Sequence, residues 1–107
     1  MDQTLIINSI TTNIRKILPF GEIYLYGSRA RGDAHEDSDF DILVLLPDNL
    51  SGLAFVEWRK KIAGSLYEIE MESGADISLA CYKTAEWMQR HSLFKYNVDK
   101  DKRMLCL

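Results

Sequence analysis

The chain has 107 residues, enough for one hydrophobic core and a single domain spanning 1–107. Apolar residues make up 47% and charged residues 27%, which excludes a largely disordered chain. Thirteen Lys and Arg against sixteen Asp and Glu leave a net charge of −3, which excludes a generally basic nucleic-acid coat but allows a local basic patch. No apolar run approaches the roughly 20 residues needed to cross a bilayer. The N-terminal MDQTLIINS lacks a basic segment followed by an apolar one, so a cytoplasmic protein without membrane contact is expected. Cys81 and Cys106 show no metal-ligand or disulfide-framework spacing.

Ile6, Ile10, Ile14 and Ile17 recur at helical spacing, and Pro19 and Gly21 end that helix. Glu22–Tyr26 is short and rich in aromatic and β-branched residues, which predicts a strand. A polar stretch, Arg29–Ser38, separates it from Asp39–Leu46, whose apolar run after the first three residues predicts a strand covered on both faces. Phe55, Ile62, Leu66 and Ile69 trace a second helix starting at Ser51, and Gly64 within it predicts a close packing contact. Gly74 breaks the chain before a third strand, Asp76–Tyr82. Thr84 is the expected N-cap of a helix reaching Arg90. Beyond His91 the pattern fades, with a short closing strand expected at Met104–Leu107. The charges of Lys95–Arg103 read as a solvated face. The economical fold class is α/β (α+β), a small mixed sheet with helices packed against it.

Three features can carry chemistry. Gly27-Ser28 stands where a strand enters a turn: glycine lets backbone approach a ligand, and a serine hydroxyl can meet a phosphate oxygen. The plainer role of the pair is turn and cap. Asp39 and Asp41, two apart at the start of a strand, point to one face about 6–7 Å from each other. Carboxylates so placed repel unless a cation lies between them, and their oxygens suit Mg²⁺ or Mn²⁺. An EF-hand is excluded because Ile42 stands where its loop needs glycine. Asp76, first in the third strand, either joins that pair or caps the turn at Gly74-Ala75. Three carboxylates holding two cations would flank a transferring phosphorus, with Asp76 orienting or deprotonating the acceptor hydroxyl. Gly-Ser, ten residues, then Asp-x-Asp would arise by chance in roughly one chain per thousand of this length.

The blocks Gly27-Ser28-Arg29-Ala30-Arg31-Gly32 and Ser38-Asp39-Phe40-Asp41-Ile42-Leu43-Val44, with Asp76-Ile77, resemble the minimal nucleotidyltransferase family of the DNA polymerase β-like superfamily. The resemblance implies a nucleotidyltransferase palm and ATP bound with Mg²⁺, two ions with Mn²⁺ as a substitute. It implies catalytic and metal-holding roles for Asp39, Asp41 and Asp76, and nucleotide binding by Gly27, Ser28 and Arg31. Arg29 and Arg31 either meet phosphate oxygens bidentately or pair with Asp33, Glu36 or Asp37 to brace the loop. His35 and His91 lack ligand spacing, and Cys81 reads as a core thiol.

A chain this short has no second domain to hold an acceptor, so a partner protein is expected to supply it. Such minimal domains resemble antitoxin partners of HEPN toxins, which implies transfer of AMP from ATP to a toxin hydroxyl. A hetero-oligomer is expected, with a homodimer as the alternative for the chain alone, and no direct nucleic-acid binding. The competing readings are transfer to a small hydroxylated molecule such as an antibiotic, and a non-catalytic partner-binding module.

Overall fold

A computed structural model describes residues 2–50 and 52–106. Helix α1 (Gln3–Ile17) begins where Asp2 accepts a hydrogen bond from the Leu5 amide, and Leu18 closes it against Ile14. Its buried face is Ile6, Ile10, Thr11 and Ile14; Ile17 is only half-buried, and Leu18, one residue on, takes the buried place. Strand β1 (Glu22–Tyr26) leads into the single turn α2 (Ser28–Arg31), which the polar sequence did not announce. Strand β2 (Phe40–Leu46) is buried at every position except Asp41, as a central strand covered on both sides should be.

Helix α3 (Leu53–Ser73) buries Ile62, Leu66 and Ile69, and Gly74 ends it in the left-handed conformation, donating to Glu70 O at 2.9 Å. Ser51, its expected start, lies outside the described residues. The contact expected at Gly64 is absent among the described residues: Gly64 is exposed and none of them lies within 4 Å of where a Cβ would stand. Strand β3 (Ile77–Lys83) is followed by α4 (Thr84–Gln89). Thr84 is not the cap; Lys83 holds that position, and the Thr84 hydroxyl instead donates to Leu46 O at 3.2 Å, tying α4 to the end of β2. The illegible tail contains a helix, α5 (Leu93–Asp101), capped by Ser92, and a two-residue strand, β4 (Arg103–Met104). Leu107 of the expected closing strand lies outside the described residues.

The strands form a mixed sheet in the order β3-β2-β1-β4, with β1 antiparallel to β2 and β4, and β2 parallel to β3. Helices α1 and α3 cover one face, where Ile23, Leu25, Phe40, Ile42, Val44 and Leu46 meet Ile10, Ile14, Ile62 and Leu66. On the other face Leu43 and Leu45 pack with Trp87 and Val98 from α4 and α5, rimmed by Tyr24, Tyr26 and Tyr82. Cys81 is a half-buried thiol against the first core, its pKa pushed up to about 11 by burial.

The expected solvated face at Lys95–Arg103 is a built cluster instead. Asp99 accepts from Lys95 Nζ and Lys102 Nζ, each at 2.6 Å, and from Trp87 Nε1 at 3.1 Å. Lys95 also lies over the Trp87 ring, and Lys102 over that of Tyr24. Burial works against the Asp99 charge, but hydrogen bonds from Lys102, Lys95 and Trp87 outweigh it and hold the carboxyl down at about 2.

Candidate active site

Sheet register builds the site. Tyr26, last in β1, pairs with Asp41 of β2, so the next residue, Gly27, turns the chain directly beside the Asp41 carboxylate. Gly27 has φ +75°, and a Cβ there would collide with Asp41 Oδ2. Glycine is thus required twice, for conformation and for close approach. The one-turn α2 that follows closes by Ala30 and Arg31 amides donating to Gly27 O, each at 3.0 Å, and by Gly32 donating to Ser28 O. Ser28, first in that turn, is half-buried at the same corner.

Asp39 and Asp41 stand two apart, on the face of β2 that carries Leu43 and Leu45. Asp41 is half-buried, and its pKa is raised, first by burial and then by the neighbouring Asp39 charge, with Arg31 pulling the other way. Asp39 Oδ2 accepts the Ser78 hydroxyl at 3.3 Å, across the parallel β2–β3 ladder in which Asp41 pairs with Ser78. Tyr26, opposite Asp41, has its phenol pushed up to about 12 by burial, then by Asp41 and Tyr82.

Asp76 stands apart from this pair. Phe40 pairs with Ile77 and its amide donates to Asp76 O at 2.8 Å, so one step back along both strands Asp39 and Asp76 are neighbours. By strand alternation Asp76 shares the face of Ser78. Its side chain is nevertheless exposed, and it borders a cleft of about 350 Å³ shared with Gln3, Arg29 and Phe40 that includes neither Asp39 nor Asp41. Among the described residues no group of three His, Cys, Asp or Glu is gathered as a metal cage. The structure therefore brings Gly27, Ser28, Asp39 and Asp41 to one corner and sets Asp76 at its edge.

The two arginines of the turn are engaged within the chain. Arg29 braces the loop through carbonyls, donating to Ser38 O at 2.8 Å and Glu36 O at 3.0 Å, and its guanidinium lies 4.3 Å from the Phe40 ring centre. Arg31 pairs with Asp33 at 3.2 Å and with Asp101 of α5 at 2.8 Å. Tyr26, Ser78 and Asp101 were not singled out in the sequence. Tyr26 and Ser78 carry a signal only once register is known, since each pairs with Asp41; Asp101 carries none.

A family model described as a nucleotidyltransferase domain matches residues 7–101, and the chain belongs to that family. It is similar to the protein adenylyltransferase MntA of Shewanella oneidensis, 38% identical over 66 residues. That stretch is 62% of this chain and 45% of the relative, so the chain spans under half of that protein's length. Its fold is similar to a crystal structure of a toxin–antitoxin with AMP-PNP, with TM-score 0.58 and 28% identity over 94% of this chain and 72% of that one. A structure of a tri-AMPylated Shewanella oneidensis HEPN toxin in complex with an MNT antitoxin matches with TM-score 0.56 and 25% identity, covering 98% of this chain and 72% of the other. A Sulfolobus solfataricus protein at 20% identity shares the fold, with TM-score 0.63 over 95% of this chain and 80% of that one. No helix among the described residues is long and apolar enough to cross a membrane.

Proposed function

We propose that this chain is an adenylyltransferase that moves AMP from ATP to a hydroxyl on a HEPN toxin, and that it serves as the antitoxin of that pair. The observation that carries the reading is the approach of the Asp41 carboxylate to Gly27, so close that a Cβ there would collide with it. It sets a corner suited to polyphosphate against a pair of acids suited to divalent cations. The likeness to MntA and to the toxin–antitoxin structures supports the partner and the transferred group.

The donor set fits Mg²⁺, two ions by family likeness, with Mn²⁺ as a substitute. Asp39 and Asp41 offer oxygens only, and the Asp41 carboxyl is raised by burial first and then by the Asp39 charge, which Arg31 only partly offsets, so a bound cation would favour the charged pair. Asp39, Asp41 and Asp76 are the residues that would hold it. When bound, such ions neutralise charge on the triphosphate and on the departing pyrophosphate. The Ser28 hydroxyl and the amides of Ser28 and Arg29, which precede the two that close α2 onto Gly27 O, would hold the phosphate chain. In the transfer, the acceptor oxygen bonds to the α-phosphorus as the α–β bridging bond breaks, and pyrophosphate leaves with that electron pair. Asp76 orients the acceptor hydroxyl and takes its proton. Arg31 reaches a phosphate only by exchanging its Asp33 or Asp101 partner for it.

Mass spectrometry tests the reading. The product of the neighbouring gene, incubated with this chain, ATP and Mg²⁺, should prove to be a HEPN protein and should gain one or more AMP units on a side chain. Modification of a small hydroxylated acceptor alone would overturn the toxin assignment. Neutralisation of the toxin without any mass gain, undiminished by Asp39→Asn with Asp41→Asn, would overturn catalysis in favour of simple masking.

A further inference from the structure

The solvent side of α3 carries a second stripe that the described residues leave without a partner. Leu53, Val56, Lys60, Ala63, Tyr67 and Met71 recur at steps of three and four, and all are exposed. At about 100° per residue they lie opposite Ile62, Leu66 and Ile69, which face the sheet. Leu53 is 73% exposed, Met71 69%, Tyr67 59% and Val56 42%, high values for large apolar side chains in one row. Beside Ala63, at the middle of the row, stands Gly64 in open space. A glycine within a helix weakens it, and no contact among the described residues accounts for this one.

The charges of the helix give the occupant. Arg59, Lys60 and Lys61 lie before the Ala63–Gly64 midpoint, and Glu68, Glu70 and Glu72 lie after it, with Glu57 the one acid on the basic side. A helix so divided complements a reversed copy of itself and repels a parallel one. We propose that α3 docks antiparallel on α3 of a second copy of this chain, across a two-fold axis at the Ala63–Gly64 midpoint. That axis sets residues whose numbers sum to about 127 opposite one another. Ala63 then faces Gly64 of the other copy, and the small pair allows the helices to approach closely. Lys60 faces the Tyr67 ring and Val56 faces Met71. Lys61, which lies over the Trp58 ring, and Glu68 share one flank, about 20° apart around the helix and roughly 100° from the centre of the stripe, so their two reciprocal ion pairs fall at the rim of the contact. A contact of one helix per copy is at the small end of specific interfaces, so the dimer is weak, with Kd on the order of 10–100 μM. Helix α3 covers the sheet face opposite Asp39 and Asp41, so the dimer leaves that site open.

Sedimentation equilibrium of the chain from about 1 μM to about 0.5 mM tests this, the range bracketing the expected Kd. The expected result is a reversible monomer–dimer transition. Gly64→Leu should raise the dissociation constant at least about tenfold while melting no lower than the parent, because the bulk blocks the crossing point but suits a helix. Lys61→Glu should weaken the dimer as well, and the double swap Lys61→Glu with Glu68→Lys should restore it. A chain that stays monomeric at the highest concentration overturns the proposal. So does a dimer indifferent to both Gly64→Leu and the charge swap. If the chain alone is monomeric and Gly64→Leu abolishes binding of the HEPN toxin, the stripe belongs to a different protein and the second copy is excluded.

Discussion

The two faces of the sheet are built on opposite terms. The face under α1 and α3 is closed and aliphatic, with six strand side chains sealed by isoleucines and leucines from two long helices. The face under α4 and α5 is shorter, aromatic and polar at its rim, and it runs out at Asp41, where helices no longer cover it. Alternation along β2 assigns its residues in turn to the two environments, so a single strand supplies a sealed core and a charged mouth. One face stabilises the domain; the other holds charge that the fold tolerates at a cost.

The sharpest contrast in stability comes from emptying each core. Trp87→Ala on the aromatic face should lose about 3–5 kcal/mol and Ile62→Ala on the aliphatic face about 2–5 kcal/mol, read as urea midpoints. Only the former also strips Asp99 of a donor and loosens α5. Equal hydrogen-exchange protection of α5 in the two variants would break the distinction.

At the charged mouth, stability and activity should move in opposite directions. Asp41→Asn is expected to reduce AMP transfer more than about a hundredfold, about 2.7 kcal/mol of barrier. The same change should raise the melting temperature at pH 7 without divalent cation. The Asp41 pKa is raised by burial and by Asp39, so its favourable contribution exists at low pH and disappears as pH rises through its folded value. A lower melting temperature for Asp41→Asn would show that the charge is compensated and would end the comparison.

Gly27→Ala should cost about 1–3 kcal/mol from its backbone conformation alone, φ +75° with ψ −157° being a region side chains avoid. It should also lower activity beyond that, because the new Cβ displaces the Asp41 carboxylate. Retained activity with reduced stability would mean the close approach at this corner serves the turn only. The smallest effect is expected at Asp99. Its carboxyl sits at about 2, below its unfolded value, so its stabilisation is present above about pH 4 and fades as pH falls towards 2. After allowance for partial exposure that is about 1 kcal/mol. Asp99→Asn should therefore narrow the difference in acid unfolding between pH 4 and pH 2, and parallel curves for the two proteins would contradict the pairing.

Local pattern made the aliphatic half readable. The isoleucine stripe of α1, the apolar run of β2 and the row at Ile62, Leu66 and Ile69 each declare a period without help from the rest of the chain. The corner was readable for a similar reason, since Gly27-Ser28 and Asp39-x-Asp41 are contiguous motifs flanking two strands. The aromatic half was not. Of the nine residues of α5 only Val98 is buried, too little for a helical period to emerge. The meaning of Asp99 depends on Trp87, Lys95 and Lys102, which arrive from α4, α5 and the segment beyond it. Ser78 and Tyr26 likewise became relevant only through register.

The parallel pairing of β2 with β3 has a consequence for how the molecule fails. Strand β3 is at the sheet's margin, and its tie to Asp39 spans 39 positions of chain through the whole of α3. The β1–β2 pair is joined by residues 27–39, which include α2, a shorter connection than that through α3, and it holds Gly27, Asp39 and Asp41 without β3. Fraying of that outer strand would carry off Asp76 and Ser78 while nucleotide contacts on the hairpin survive. For the proposed adenylyltransferase, warming should accordingly separate two thresholds: transfer to the toxin vanishes first, and the expected binding of ATP persists until the remaining sheet melts.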